Sequence, residues 1–173
     1  MVADIKDEQR LCYITCDPSC SGSGMNLHTD QGDKTLICSR DAKTPEDIKG
    51  RIEQLSKFQF KLLQRALDYY PVPKFVTYST CSIYPEEDEL LVEDILRKNP
   101  GYKVPDNLQE ILEKVFQLKK DDRNEKSLKE AGAFIKGAHV MNSKKNEKPL
   151  GVKMCPKCSK GRFNGFFCTV FVN

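Results

Sequence analysis

Two short loops in this 173-residue sequence each set a thiol among small polar residues. The first is Asp17-Pro18-Ser19-Cys20, which runs on through Ser21, Gly22, Ser23 and Gly24 to Met25. The second is Ser79-Thr80-Cys81-Ser82. Two thiols beside one carboxylate suit covalent attack on an electrophilic carbon, the thiol supplying the nucleophile and the carboxylate a polar handle on the target. A pair of buried structural cysteines uses the same residue types, and spacing alone leaves both readings open.

For the loops to act together, the elements before them must end at one place. Leu11–Cys16 is a short apolar run rich in β-formers that stops at Asp17-Pro18, and it reads as a buried strand. Lys74–Thr80 reads as a second strand. Between them Ile48, Ile52, Leu55, Phe58, Leu62, Ala66 and Tyr69 recur at spacings of three and four, which predicts an amphipathic helix burying those residues and leaving Lys57, Lys61 and Arg65 outside. Thr44 is suited to its N-cap, with Pro45 at N1 and Asp47 at N3, while Pro71 and Pro73 end it. After the second loop, Glu86–Lys98 reads as a helix with an acidic first turn, favoured by the helix dipole, that buries Leu90, Leu91, Ile95 and Leu96. Strand, helix, strand, helix predicts a βαβ unit and a parallel sheet, whose ligands bind beyond the carboxyl ends of the strands. Leu108–Leu118 reads as a further amphipathic helix, Ala133–Met141 as a possible strand, and Gly165–Val172 as a final buried strand apolar on both faces. Exposed insertions are expected near 26–50 and 119–162.

Composition narrows the class. Hydrophobic residues make up 39% and charged residues 31%, with no apolar run long enough to span a membrane. Met1–Arg10 is charged and lacks the apolar stretch of a signal peptide, so the expected setting is intracellular, with reduced cysteines. Cys12, Cys16, Cys38 and Cys168 then read as small buried hydrophobes. Cys155-Pro156-Lys157-Cys158 resembles the start of a zinc ribbon, but only Cys168 follows and His139 precedes at no familiar spacing, so no metal is assigned. From Lys136 to Arg162 eight Lys or Arg face one acidic residue, Glu147, although the net charge is only +3. That stretch could neutralise phosphates as a non-catalytic RNA binder, or be a solvated lysine-rich loop. His28 is given no role.

The two loops in their full context, DPSCSGSGM at Asp17–Met25 and YSTCSIYPEEDE at Tyr78–Glu89, resemble motifs IV and VI of the Nop/Sun family of RNA cytosine-C5 methyltransferases. The wording of the first is most similar to the branch acting on large-subunit ribosomal RNA. The resemblance covers roughly residues 11–25 and 54–96, with weaker agreement at the closing strand. It implies an α/β fold, a partial Rossmann-like methyltransferase fold in which 1–173 forms the C-terminal half of a mostly parallel sheet with an antiparallel final strand. It also implies S-adenosyl-L-methionine as cofactor, RNA as partner, no membrane, and a nuclear or nucleolar setting.

By the same resemblance Cys81 is the nucleophile that adds to cytosine C6, Cys20 assists product release, and Asp17 hydrogen-bonds the N3 and exocyclic-amine edge of the base. Pro18, Ser19, Ser79 and Thr80 are expected to contact the substrate. A nucleophilic Cys81 calls for a depressed pKa. Family members place a glycine-rich donor loop, an acidic ribose-binding residue and a catalytic lysine upstream of the first motif, where only sixteen residues stand here. The expectation is therefore a cytosine-facing half without the main donor-binding motifs, inactive by itself.

Overall fold

The computed structural model describes residues 13–25, 44–69, 72–110, 138–154 and 164–173. In chain order these form β1 (Tyr13–Cys16), α1 (Pro45–Leu67), β2 (Phe75–Thr80), α2 (Glu89–Lys98), β3 (Ala138–Asn142), β4 (Pro149–Met154) and β5 (Phe166–Val172). The strands make one sheet in the order β1-β2-β5-β4-β3. The expected helix over 108–118 is helical at Leu108–Glu110, and its remainder lies outside the described residues. Among the described residues no helix is long and apolar enough to cross a membrane.

β1, α1 and β2 make the βαβ unit that the strand–helix–strand rhythm predicts. The two strands run parallel, with Tyr13 opposite Phe75 and Cys16 opposite Tyr78. Pro45 cannot donate a backbone hydrogen bond, which suits the first helical position. Thr44 caps α1 as expected: its hydroxyl accepts from the Asp47 amide at 3.1 Å, and the Asp47 carboxylate accepts from the Thr44 amide at 3.0 Å.

The remaining pairings are antiparallel: β5 lies between β2 and β4, and β3 closes the far edge. The antiparallel final strand is as expected. In the described part, however, only β1 and β2 pair in parallel. The exposed insertion expected over 119–162 does not hold throughout, because 138–154 contains the hairpin β3–β4, with Leu150 and Met154 buried. Pro149, Gly151 and Lys153 gave β4 no strand signature. Gly151 is required there, because a Cβ would stand 2.5 Å from the Phe167 ring.

The core covers one face of the sheet. Val76, Tyr78 and Thr80 of β2 alternate inward beside Phe171, Thr169 and Phe167 of β5. Leu63, Ala66 and Leu67 of α1, with Leu91, Val92 and Ile95 of α2, pack over them. The other face, with Thr77, Ser79, Cys168 and Val170, is only half-buried, so β5 alternates rather than being buried on both sides.

Two expected burial patterns are corrected. α1 turns Ile52, Gln59, Leu63, Ala66 and Leu67 inward and leaves Phe58, Leu62 and Tyr69 exposed. The helix carries apolar residues on more than one face, and the buried stripe is the one that includes Gln59. In α2, which starts three residues later than expected, Leu90 is exposed and Val92 is buried instead.

Candidate active site

Because β1 and β2 are parallel neighbours, the loops that leave them emerge side by side. Ser79, two residues before Cys81, donates its hydroxyl to Asp17 Oδ1 at 2.8 Å. The Gly24 amide donates to the Cys81 carbonyl at 2.9 Å. The Cys20 and Cys81 sulfurs stand 3.1 Å apart, both as free thiols and both part-buried. That is closer than sulfur van der Waals contact and longer than the roughly 2.05 Å of a disulfide. Cys81, Cys20 and Asp17, separated by up to 64 residues, are thus brought together at the carboxyl ends of adjacent strands.

Gly24 lets the first loop cross the start of β5. Its carbonyl accepts from the Gly165 amide at 2.9 Å, and a Cβ on Gly24 would lie 2.3 Å from the Gly165 carbonyl oxygen. Gly22 takes φ +67°, a conformation that L side chains rarely adopt.

A buried polar network lies beneath the thiols. Glu87, fully buried, accepts at Oε1 from the Ser21 amide (2.9 Å) and from Gln59 Nε2 (2.9 Å), and at Oε2 from the Ser82 hydroxyl (2.6 Å). Gln59 Nε2 also donates to the Ser19 carbonyl at 3.0 Å. The hydroxyls of Ser21, Ser23 and Ser82 lie within 3.1–3.2 Å of one another. Tyr78 donates to the Glu87 carbonyl at 2.7 Å and lies 3.2 Å from Gln59 Oε1. No local pattern marks Glu87 and Gln59 as buried, because the Ser21 amide and the Ser19 carbonyl that engage them come from a loop distant in sequence.

Of the residues expected to touch substrate, Ser79 is half-buried and bonded to Asp17, and Pro18 and Ser19 lie on the loop surface. Thr80 is corrected: it is fully buried, with its hydroxyl donating to Asp88 Oδ1 at 2.6 Å. The alternation of β2 points it to the core side, opposite to Ser79. Asp88 is also buried, and Lys153 of β4 approaches its Oδ2 to 3.0 Å and Glu89 Oε2 to 2.9 Å. Lys153, counted in the basic stretch, is therefore engaged inside the fold. Burial pushes the Asp88 carboxyl up to about 7, against the pull of Lys153 and Thr80. Lys144, Lys145 and Lys148 sit on the β3–β4 turn, at the end of the sheet away from the thiols. A cavity of about 410 Å³ lined by Arg97, Tyr102, Lys145 and Leu150 also lies at that end.

The Cys81 thiol departs from expectation. Rather than depressed, its pKa is pushed up to about 12, first by burial, then by the hydrogen bond to Cys20 and the charges of Cys20 and Asp17, against a lowering backbone hydrogen bond. Among the described residues, the side chains that act on it are Cys20 and Asp17, and neither is a cation. Burial also raises Cys16 and Cys168, consistent with small packed hydrophobes. Cys12, Cys38, Cys155 and Cys158 lie outside the described residues. Among the described residues no cluster of three or more potential ligands could hold a metal.

S-adenosyl-L-methionine does not find a complete site in these residues. A donor cradle needs glycines whose missing side chains leave room for the ligand. Here Gly24 and Gly151 are filled against the chain's own Gly165 and Phe167, while Gly22, Gly50 and Gly101 face open space.

The family model for the 16S rRNA methyltransferase RsmB/F matches residues 2–127. The chain is 37% identical over 92 residues to a 28S rRNA (cytosine-C(5))-methyltransferase of Drosophila melanogaster, covering 53% of this chain and 19% of that protein. It is 36% identical over 95 residues to the 25S rRNA (cytosine-C(5))-methyltransferase rcm1 of Schizosaccharomyces pombe, covering 55% of this chain and 19% of that protein. The chain thus spans about a fifth of the length of these relatives. Its fold is similar to that of NSun6 from Pyrococcus horikoshii, solved with SFG, at a TM-score of 0.50 and 18% identity over 92% of this chain and 29% of that one.

Proposed function

The chain belongs to the 16S rRNA methyltransferase RsmB/F family, and on that premise we propose that it carries the cytosine-facing half of an RNA cytosine-C5 methyltransferase site, acting on ribosomal RNA. The observation that carries this reading is the convergence of Cys81, Cys20 and Asp17 at the ends of two parallel strands, with the sulfurs 3.1 Å apart. The relatives' names favour large-subunit ribosomal RNA as the substrate, and a nucleolar setting follows from that substrate. In this reading 1–173 corresponds to the C-terminal half of a catalytic domain.

Each side chain has a definite task. Cytosine C5 is a weak nucleophile until a thiolate adds at C6. The Cys81 sulfur supplies an electron pair for the new S–C6 bond, and the C5–C6 π pair moves to make C5 carbanion-like. Asp17 Oδ1 is occupied by Ser79, while Oδ2 has no partner among the described residues and can accept from the exocyclic amine. Cys20, at contact distance from Cys81, is placed to act on the covalent intermediate and help release the product. Because Cys81 holds its proton tightly, addition needs a base or a cation delivered with the substrate or by residues outside those described. S-adenosyl-L-methionine, held by such residues, is the electrophilic methyl source that the family implies.

The addition step can be tested without the donor. Reversible attack at C6 makes the C5 hydrogen exchangeable, so the chain is incubated with a large-subunit rRNA fragment carrying C5-tritiated cytosine. Release of tritium into water that is lost in Cys81→Ala supports the proposal. Release no faster than in Cys81→Ala overturns it.

A further inference from the structure

Among the described residues Glu87 has no cationic partner that explains a fully buried carboxylate as part of a charge pair. Its three bonds come from neutral donors: the Ser21 amide, Gln59 Nε2 and the Ser82 hydroxyl. An acceptor-only group suits such a set, and the start of α2 two residues on adds a favourable dipole. Burying a carboxylate without a cation is costly, so the position demands another reason. The donors themselves supply it. Ser21 is the residue after Cys20, Ser82 is the residue after Cys81, and Gln59 anchors the pair to α1 while also holding the Ser19 carbonyl. One carboxylate thereby clamps the two thiol loops to each other from below, through contacts on the residue next to each sulfur.

We propose that Glu87 is a positioning residue that sets the gap between the Cys20 and Cys81 sulfurs. It touches neither sulfur and acts through Ser21 and Ser82. The catalytic meaning of that gap rests on the function proposed above, but the gap itself can be measured independently. Glu87→Gln keeps one acceptor for Ser21 and Gln59, and its amide can donate to the Ser82 oxygen if that hydroxyl turns toward Ser21 or Ser23. Glu87→Ala removes the one acceptor that the Ser21 amide, Gln59 Nε2 and the Ser82 hydroxyl share, and lets the loops separate.

The readout is peroxide-driven disulfide formation between Cys20 and Cys81, in which two thiols and one hydrogen peroxide give a disulfide and two waters. Peroxide is raised until the rate no longer depends on its concentration, so that closure of the sulfurs from 3.1 Å to about 2.05 Å, and not thiolate oxidation, sets the rate. The cross-linked peptide is followed by mass spectrometry on the full chain, with the alkylation rate of Cys168 on β5, outside the network, as the control that should not change. Glu87→Ala, folded by circular dichroism, is expected to slow the cross-link by about tenfold or more, and Glu87→Gln to stay within about threefold of wild type. A folded Glu87→Ala that cross-links at the wild-type rate overturns the proposal. If Glu87→Ala does not fold, Ser82→Ala decides: it removes the Cys81 arm of the clamp together with the hydroxyl's contacts to Ser21, Ser23 and the Tyr84 amide, so a slowed cross-link supports the clamp and a wild-type rate overturns it. Failure of the tritium-release assay in the wild-type chain would sink the methyltransferase reading without moving these cross-linking rates.

Discussion

Replacing Cys20 by alanine isolates what one thiol does to the other. Cys81 is pushed up to about 12 from an ordinary 9.0, first by burial and next by Cys20, which contributes both a hydrogen bond to the thiol and a like charge beside the thiolate. Alanine removes the last two and leaves the apolar surroundings, so the Cys81 pKa should fall but stay above 9.0. At pH 8 a thiol titrating near 12 holds about one part in ten thousand as thiolate, and each unit of fall multiplies that fraction about tenfold. Nucleophilicity declines as basicity declines, so the net gain in reaction rate is about threefold per unit. The assay is iodoacetamide alkylation of Cys81, followed peptide by peptide across pH 7 to 11. The wild type should gain rate steadily over this range without a plateau. Cys20→Ala should run about threefold faster or more at pH 8 and begin to level near the top of the range. A Cys20→Ala profile that superimposes on the wild type, or lies below it, would refute the view that the sulfur contact holds the proton on Cys81.

Other outcomes follow from the packing. Asp88 titrates near 7 when folded against an ordinary 3.8; between about pH 4 and 7 the folded chain holds a proton that the unfolded chain releases, so stability should fall as pH rises through that window and level off above it, by at most roughly 4 kcal/mol. Urea midpoints at pH 5 and 7.5 should show the drop in wild type and a much smaller one in Asp88→Asn; a larger midpoint at pH 7.5 than at pH 5 in wild type would contradict the assignment. Gly24→Ala places a methyl 2.3 Å from the Gly165 carbonyl oxygen, and urea denaturation should show a loss of about 2 kcal/mol or more. Tyr78→Phe strips the buried Glu87 carbonyl and Gln59 amide of their shared donor, with an expected cost of about 1–3 kcal/mol in the same assay.

What could be read from the sequence divides along the range of the interactions involved. Thr44, Pro45 and Asp47 announce the start of α1 because a capping box closes within four residues. The meeting of Asp17, Cys20 and Cys81 was legible for a topological reason: a strand–helix–strand unit with a parallel pair must deliver both loops to one end. Glu87 carries no such mark. In EEDE it is one acid among several, and only the Ser21 amide 66 residues away and the Gln59 amide 28 residues away make it internal. Gln59 carries no local mark either, and the stripe that α1 turns inward includes it in place of Phe58 and Leu62. β4 was hidden because a proline, a glycine and a lysine are poor strand formers, and the lysine meets the buried Asp88 and half-buried Glu89 at the start of α2, which no local pattern pairs with it. The raised Cys81 pKa belongs to this class too, since a reactive thiol was expected from the family motif, while burial and then a sulfur 61 residues distant hold its proton. The residues that meet at the strand ends were therefore visible, and the buried network beneath them was not. That asymmetry is expected where a site is assembled by a buried polar network: its members are chosen for partners rather than for period, and their effect appears only when the loops are together.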